Sequence, residues 1–210
     1  FIHDIRQLVK ILPKKRQTLF FSATIDSEIK KLAYSLVKDA IRIQISPKDP
    51  VSKNVDHSVG FIAMDDKRFF LERLIKEHPE SRILVFVRTK VRAERVSAAL
   101  ARVDIKSLTM HGDKEQKERI LALRQFRDGA VLVLIATDVS ARGIDIDGVE
   151  YVVNYDLPEQ AENYVHRVGR TGRGKKRGTA IAFCSPEEKP LLDAIEEYTG
   201  NKISVLEITR

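Results

Sequence analysis

The sequence predicts an open α/β sheet, mainly parallel, with helices on both faces, and three observations lead to this prediction. Two short and almost wholly apolar runs, Arg82–Val87 and Val131–Ala136, have the composition of strands that are buried on both faces. Amphipathic stretches with helical periodicity alternate with such runs along the chain. Alternation of strand and helix is typical of parallel sheets with right-handed crossover connections.

The other elements follow the same alternation. Helices are predicted at Asp66–Glu77, Val91–Arg102 and Lys114–Arg127, and further strands at Val59–Ala63, Ile105–Thr109, Tyr151–Asn154 and Thr179–Cys184. The last helix has a clear start signal. Ser185 offers an N-cap, Pro186 suits the first helical position, and Glu188 stands where a capping box needs a carboxylate.

The beginning of the chain has the same alternation but too few elements for a domain. We predict helices near Asp4–Ile11 and Ser27–Leu36, and strands at Gln17–Phe21 and Ala40–Ile45. Two strands and two helices cannot bury their apolar faces alone. Prolines among polar residues then indicate a boundary. We therefore predict a remnant of a preceding domain at 1–46, a linker at 47–56 and a second domain at 57–210, in a piece of a longer protein.

Composition narrows the function classes. The 210 residues carry a net charge of +7, which favours polyanionic partners such as nucleic acid or nucleotides. The single cysteine, Cys184, excludes an internal disulfide framework and suits a reducing cytoplasm. No apolar run approaches the roughly 20 residues that a membrane span requires. We expect a cytoplasmic protein without a membrane partner.

The segment Tyr164–Arg173 carries the strongest chemical signal. Arg167, Arg170 and Arg173 stand three residues apart, separated by glycines and preceded by His166. At helical spacing such residues share one face, so their guanidinium groups would point in nearly one direction. Guanidinium is planar, permanently charged and matched to phosphate oxygens. The segment therefore predicts a phosphate-binding site.

A polar segment directly follows the apolar strand that ends at Ala136. Open α/β sheets bind ligands just beyond the carboxyl ends of their central strands. In the segment Thr137–Asp145, Thr137 can donate to a phosphate and Asp145 can accept from a sugar hydroxyl. Asp138 and Arg142 could instead form a local ion pair, and both interpretations stay open.

Two further motifs have weaker signals. Phe20–Thr24 ends an apolar run with small hydroxyl residues, which also suits an ordinary strand-to-helix turn with N-cap acceptors. His111–Asp113 forms a turn before a basic helix on which Gln116 and Arg119 share a face. That helix start could hold a phosphate, or the charges could simply face solvent.

One apparent phosphate loop is rejected. Gly169–Lys175 has the spacing Gly-x-x-x-x-Gly-Lys, but the next residue is Lys176 instead of the Ser or Thr that binds magnesium. The segment also follows a helical pattern, whereas a true P-loop follows a strand.

In this order, the motifs closely resemble those of the C-terminal half of a DEAD-box RNA helicase, within helicase superfamily 2. Ser22-Ala23-Thr24 resembles the family's motif III, Val85–Lys90 motif IV, Gln116 with Arg119 its Gln-x-x-Arg element, Thr137–Asp145 motif V and His166–Arg173 motif VI. The resemblance covers essentially the whole chain, and the motif sequences are most similar to those of the bacterial RhlE-like subgroup. It implies a RecA-like fold of the P-loop NTPase type.

The resemblance also implies roles for individual residues. Arg170 and Arg173 would be arginine fingers on the γ-phosphate of ATP, and Gly143 and Asp145 would complete this lobe's nucleotide contacts. Thr89, Gly112, Arg119 and Thr137 would contact the RNA backbone, and Ser22, Thr24 and His166 would couple the ATP state to lobe closure. ATP and Mg²⁺ would be held mainly by a first lobe, with no metal ligand in this chain.

The departure from the family pattern is that nothing here matches the P-loop, the adenine-reading Gln or the Asp-Glu-Ala-Asp box. We expect this chain alone neither to hydrolyse ATP nor to unwind RNA, and residues 1–46 to be disordered or docked on another copy of this chain or of the first lobe. Expected partners are RNA, the missing lobe and regulator proteins. Two alternatives stay open: a superfamily 2 DNA helicase or translocase, and a non-catalytic RNA-binding or protein-docking lobe.

Overall fold

The computed structural model describes residues 2–21, 27–37, 39–43, 51–141, 146, 148–174 and 176–207. The chain divides into two compact units, a small one of Phe1–Ser46 and a large one of Pro47–Arg210. The large unit contains the sheet and carries most of the residues that the sequence singles out.

The large unit is built on a seven-stranded sheet. Its strands are β1 (Val55–Phe61), β2 (Ile83–Phe86), β3 (Leu108–Met110), β4 (Val133–Ala136), β5 (Tyr151–Asn154), β6 (Gly178–Cys184) and β7 (Ser204–Val205). Their order across the sheet is β3-β4-β2-β5-β6-β1-β7, and every pairing is parallel. The predicted open parallel sheet is confirmed.

Helices cover both faces of this sheet. The described helices of the large unit are α3 (Lys67–Glu77), α4 (Lys90–Ala101), α5 (Gln116–Arg127), α6 (Asp138–Ala141), α7 (Ala161–Val168) and α8 (Lys189–Thr199). The small unit contains α1 (Ile2–Ile11) and α2 (Ser27–Leu36). Leu84 and Phe86 of β2 belong to one buried apolar cluster, and Ile83 and Val85 belong to another. Alternate side chains of one strand thus enter two separate cores, as the apolar run predicts.

None of the described helices is both long and apolar enough to cross a bilayer.

The predicted boundaries hold within a few residues for most elements of the large unit. Tyr151–Asn154 forms a strand with the predicted limits. The first strand begins at Val55, four residues before the predicted start at Val59, because its polar beginning pairs with β6. The last two residues of the predicted linker are therefore part of the sheet. Strand β7, with two exposed residues, has no apolar signal and was missed.

In the small unit the helix predictions are confirmed, but the strand predictions are wrong. Residues 17–21 and the described residues 40–43 form no strand. The side chains of Leu19, Phe21, Ile41 and Ile43 are largely exposed. An alternating apolar pattern produces a strand only where another strand completes its hydrogen bonds. Within its described residues, this unit contains no such partner.

Candidate functional site

Three predicted RNA contacts follow three neighbouring strands. Gly112 lies just beyond β3, Thr137 directly follows β4, and Thr89 lies shortly after β2. These strands are adjacent and parallel in the order β3-β4-β2, so their carboxyl ends meet at one edge of the sheet. The N–H of Thr137 donates to the carbonyl oxygen of Met110, at 3.2 Å, and links the segment after β4 to the last residue of β3. The fold thus brings together residues that lie far apart in sequence.

Thr89 is exposed and caps helix α4. Its hydroxyl oxygen accepts a hydrogen bond from the backbone N–H of Arg92 at 3.1 Å. The first turn of α4 contains basic residues, Lys90 and Arg92, and no acidic one. The positive end of the helix dipole is therefore not neutralised from within the helix, and this end of α4 suits an anion such as a backbone phosphate.

Thr137 is mostly enclosed by the fold. It is 8% exposed, and its hydroxyl lies 3.2 Å from the hydroxyl of Ser140. Ser140 donates to the carbonyl oxygen of Met110 at 2.6 Å. The Thr137 side chain thus helps to fix the turn between β4 and α6, beside any contact it makes with a ligand.

A charged cluster fixes the loop that carries Gly112. The preceding residue, His111, is buried, and its Nε2 lies 2.7 Å from Oε1 of Glu94. The same carboxylate oxygen accepts from the hydroxyl of Thr109 at 2.8 Å and pairs with Nζ of Lys114 at 3.0 Å. Burial raises the pKa of Glu94, but the bonds from His111, Thr109 and Lys114 outweigh burial and lower it from 4.5 to about 2. Glu94 therefore stays ionised at neutral pH.

Helix α5 confirms that Gln116 and Arg119 share a face, and it carries two carboxylates at its start. Arg119 and Gln116 share a face, with Nη1 of Arg119 3.3 Å from Oε1 of Gln116. The helix start, however, is closed by a capping box between Glu115 and Glu118. These two carboxylates accept from the backbone N–H groups of Glu118 and Glu115 and place negative charge at the helix start, which disfavours an anion there. The interpretation of this helix start as a phosphate site stays a prediction.

The predicted row of three arginines is also wrong, because Arg167 turns into the core. Helix α7 ends at Val168, so one helical face does not continue to the later arginines. Arg167 is 2% exposed and holds Asp138 with two contacts, Nε to Oδ1 at 2.6 Å and Nη2 to Oδ2 at 2.8 Å. Its Nη1 donates to Oδ1 of Asn154 at 3.1 Å and to the carbonyl oxygen of Asp156 at 2.7 Å.

This pairing answers the question left open for Asp138. The carboxylate forms an ion pair, but its partner is Arg167 instead of Arg142, which lies outside the described residues. The pair ties the turn after β4 to helix α7. Sequence reasoning missed it because the two residues are 29 positions apart.

Arg170 and Arg173 lie beyond the end of α7, and both are half-buried. Between them, the buried side chain of Thr171 donates to the carbonyl oxygen of Val149 at 2.5 Å. Gly172 follows with a φ of +65°. The loop is thus held from inside by Thr171 and Gly172, and one arginine stands on each side of this anchor.

Gly172 is required at its position for two reasons. Its positive φ favours glycine over residues with a Cβ atom. A Cβ atom there would also lie 2.5 Å from Cγ2 of Val55 and 2.9 Å from the carbonyl oxygen of Asn54. The anchor therefore packs directly on the start of strand β1.

Some predicted site residues cannot be placed. Ser22, Thr24, Gly143 and Asp145 lie outside the described residues. His166 lies in the last turn of α7 and is half-buried.

Sequence reasoning missed a buried charge cluster behind Thr89. Nζ of Lys67 lies 2.5 Å from Oε2 of Glu188, and Nη2 of Arg88 lies 3.1 Å from the other carboxylate oxygen. Burial lowers the pKa of Lys67, and the hydrogen bond and charge of Glu188 partly oppose this. The predicted capping box of Ser185 and Glu188 is confirmed, although it leads into a short 3-10 turn, Pro186–Glu188, before α8. The capping-box pattern predicted the contact between Glu188 and Ser185 but not the contacts of Glu188 with Lys67 and Arg88.

Comparison with known proteins identifies the family. A model described as the helicase conserved C-terminal domain matches residues 66–175. The ATP-dependent RNA helicase RhlB of Shewanella amazonensis is 38% identical over 100% of this chain and 48% of its own length. The DEAD-box ATP-dependent RNA helicase CshA of Bacillus subtilis is 39% identical over 97% of this chain and 41% of its own. The chain thus spans less than half the length of these relatives.

Similar solved structures lead to the same family. Saccharomyces cerevisiae Dbp5 bound to RNA and ADP BeF3 has a TM-score of 0.85 at 30% identity, covering 97% of this chain and 55% of that one. Escherichia coli SrmB bound to RraA, the regulator of ribonuclease activity A, has a TM-score of 0.69 at 34% identity, covering 75% of this chain and 92% of that one. The chain belongs to the helicase conserved C-terminal domain family, as it occurs in DEAD-box RNA helicases, and its RecA-like fold is confirmed.

Proposed function

We propose that the complete protein is an ATP-dependent RNA helicase and that this chain contributes its second lobe. The two curated relatives compared above are named ATP-dependent RNA helicases. Dbp5, whose fold this chain shares, binds RNA together with ADP BeF3. Both ligands are anionic, which agrees with the basic surplus of this chain.

The observation that carries the proposal is the anchored loop with Arg170 and Arg173 on either side of Thr171 and Gly172. Arg167 serves the fold, so the nucleotide role falls to the two later arginines. Guanidinium groups held on a fixed loop suit the charge that develops on a phosphoryl group during transfer. Arginine fingers of this kind contribute about 10³–10⁵ in rate. In this proposal the first lobe holds most of the substrate ATP and its Mg²⁺, Gly143 and Asp145 contact the nucleotide, and His166 couples these contacts to lobe closure.

The sheet edge formed by Gly112, Thr137 and Thr89 supports the RNA half of the proposal, with Arg119 beside it on α5. The exposed start of α4 offers backbone N–H groups and a positive dipole to an anion. Contacts of this kind reach phosphate and sugar instead of base edges. We therefore propose binding that is independent of RNA sequence and weakens steeply with added salt.

We further propose that residues 1–46 are the end of the first lobe, with Ser22 and Thr24 linking the ATP state to lobe closure. Residues 47–56 would connect this remnant to the second lobe. Because the groups that hold ATP and Mg²⁺ would lie in the rest of the first lobe, the isolated chain would be inactive. SrmB binds the regulator RraA, and regulator proteins are proposed partners here as well.

The test compares ATP hydrolysis by the isolated 210-residue chain and by the complete protein, each with single-stranded RNA or DNA. We expect no RNA-stimulated turnover by the chain alone and clear stimulation of the complete protein by RNA only. Equal stimulation by DNA would favour a DNA translocase. Salt-dependent RNA binding without any turnover by the complete protein would favour a non-catalytic lobe.

A further inference from the structure

Glu188 is the centre of a buried cluster at the carboxyl ends of β2, β5 and β6. Its side chain is 3% exposed. Five groups donate to its carboxylate: Nζ of Lys67, Nη2 of Arg88, the backbone N–H of Leu157, and both the backbone N–H and the hydroxyl of Ser185. Glu188 thus joins the three loops that follow these strands to the start of α3.

The cluster continues to Thr89 through a closed ring of contacts. The backbone N–H of Arg88 donates to Oδ2 of Asp156 at 3.0 Å. The other oxygen of Asp156 pairs with Nη2 of Arg92 at 3.1 Å. The backbone N–H of Arg92 donates to the hydroxyl of Thr89 at 3.1 Å. Glu188 therefore acts on the surroundings of Thr89 by two routes. It binds the side chain of Arg88, and it binds the backbone of Leu157, next to Asp156.

Charge explains why this position needs a carboxylate. Lys67 is fully buried and Arg88 is more than a third exposed, and one carboxylate oxygen faces each of them. A buried cation needs a paired, hydrogen-bonded anion. Once Glu188 has neutralised Lys67, its second oxygen is fixed in place by the backbone N–H of Leu157 and has one charged partner. That partner is Arg88, next to the residue proposed to contact RNA.

We propose that Glu188 is a positioning residue for RNA binding that acts through Arg88 on Thr89 and the start of α4. This inference rests on the proposed helicase function. Glu188 lies outside residues 66–175, which match the family model. The donors to its carboxylate do not include the residues proposed to contact the nucleotide.

The experiment uses the complete protein and measures RNA-stimulated ATP hydrolysis at increasing concentrations of single-stranded oligoribonucleotide. Arg88→Met leaves the buried pair of Lys67 and Glu188 intact, and Glu188→Gln removes the charge that orients Arg88. We expect each change to raise the RNA concentration for half-maximal stimulation about tenfold, the usual effect of losing a hydrogen bond to a charged group. The KM for ATP at saturating RNA should stay unchanged.

Two matched changes serve as controls. Arg73→Met breaks an exposed pair with Glu77 on α3, and Glu187→Gln alters the exposed neighbour of Glu188. Both should behave as the unaltered protein. Because Glu188→Gln leaves Lys67 buried without a counter-charge and could prevent folding, the combined change Lys67→Met with Glu188→Gln keeps the core neutral. It should fold and show the same RNA defect.

A double-mutant cycle decides whether Glu188 acts through Arg88. The change of both residues should have the effect of either one alone. Three results would each overturn the inference while leaving the helicase function intact. The first is a double variant whose loss of RNA response is the product of the two single losses. The others are an unchanged RNA requirement in folded Arg88→Met and a KM for ATP that rises in parallel with the RNA requirement. If the unaltered complete protein shows no response to RNA at all, the proposed function fails first and the inference falls with it.

Discussion

Arg167 and Asp138 form a two-pronged ion pair in which one guanidinium group meets both oxygens of one carboxylate, at 2.6 and 2.8 Å. Arg167 is almost completely buried, and it also lies over the ring of Phe86, 5.1 Å from the centroid. The pair locks helix α7 to the turn after β4. Two segments that look like separate motifs in the sequence therefore form one rigid arrangement, from which the loop of Arg170 and Arg173 extends.

Replacing Arg167 by Lys should destabilise the large unit by about 3 kcal/mol. A single ammonium group cannot meet both oxygens of Asp138, and breaking a buried pair is costly. Urea unfolding of the chain measures the effect. The control is Arg124→Lys, in an exposed pair with Asp128, where we expect a change within about 0.5 kcal/mol. Equal unfolding free energies for the two variants would contradict the structural role of Arg167.

Two glycine replacements separate backbone strain from crowding. Gly172 and Gly174 have nearly the same positive φ, +65° and +64°. Only at Gly172 would a Cβ atom overlap its neighbours, whereas Gly174 has nothing within 4 Å. Gly174→Ala should cost about 1 kcal/mol of unfolding free energy, from φ alone. Gly172→Ala should cost distinctly more, and a similar loss for both in urea unfolding would show that the anchor does not pack as described.

The pKa of Glu94 predicts a contribution to stability that depends on pH. Because folding lowers this pKa from 4.5 to about 2, the stabilisation is fully present above about pH 4.5 and is lost as the pH falls towards 2. Glu94→Gln should lower the unfolding free energy at pH 7 by about 1 kcal/mol, a modest value because the side chain is half exposed.

The gap between Glu94→Gln and the unaltered chain should close as the pH falls from 4.5 to 2, measured by urea unfolding at each pH. Glu77→Gln, in an exposed pair on α3, should change stability by at most about 0.5 kcal/mol at neutral pH. A gap that stays constant down to pH 2 would disprove the account of the Glu94 cluster.

Cys184 offers a direct probe of the core. Burial raises the pKa of its thiol from 9.0 to about 11, and the side chain lies inside the sheet at the end of β6. Since thiolate is the reactive form, labelling by a thiol reagent at pH 8 should be very slow in the folded chain and rapid in denaturant. As the chain contains one cysteine, the signal has a single origin. Rapid labelling of the folded chain would show that β6 is not enclosed.

Local patterns in the sequence predict most of the sheet and the edge that Gly112, Thr137 and Thr89 share. An apolar run such as Ile83–Phe86 has only one stable environment, and parallel strands place their carboxyl ends together. Two of the misses share one physical cause. The formation of a strand at Gln17–Phe21 depends on a pairing partner elsewhere in the protein. The contacts of Glu188 also depend on residues far away along the chain, since Lys67 and Glu188 are 121 positions apart. Local periodicity carries no information about such partners.

Turnover of ATP by the complete protein after Arg170→Lys tests the central claim most directly. RNA-stimulated turnover should fall at least about 100-fold, because the ammonium group of lysine cannot replace the two-pronged hydrogen bonding of guanidinium to the phosphoryl group that is transferred. RNA affinity and melting temperature should stay unchanged, and the control Arg177→Lys, in an exposed pair with Asp56, should keep normal turnover. Near-normal turnover by a folded Arg170→Lys protein would remove Arg170 from the nucleotide site and contradict the account.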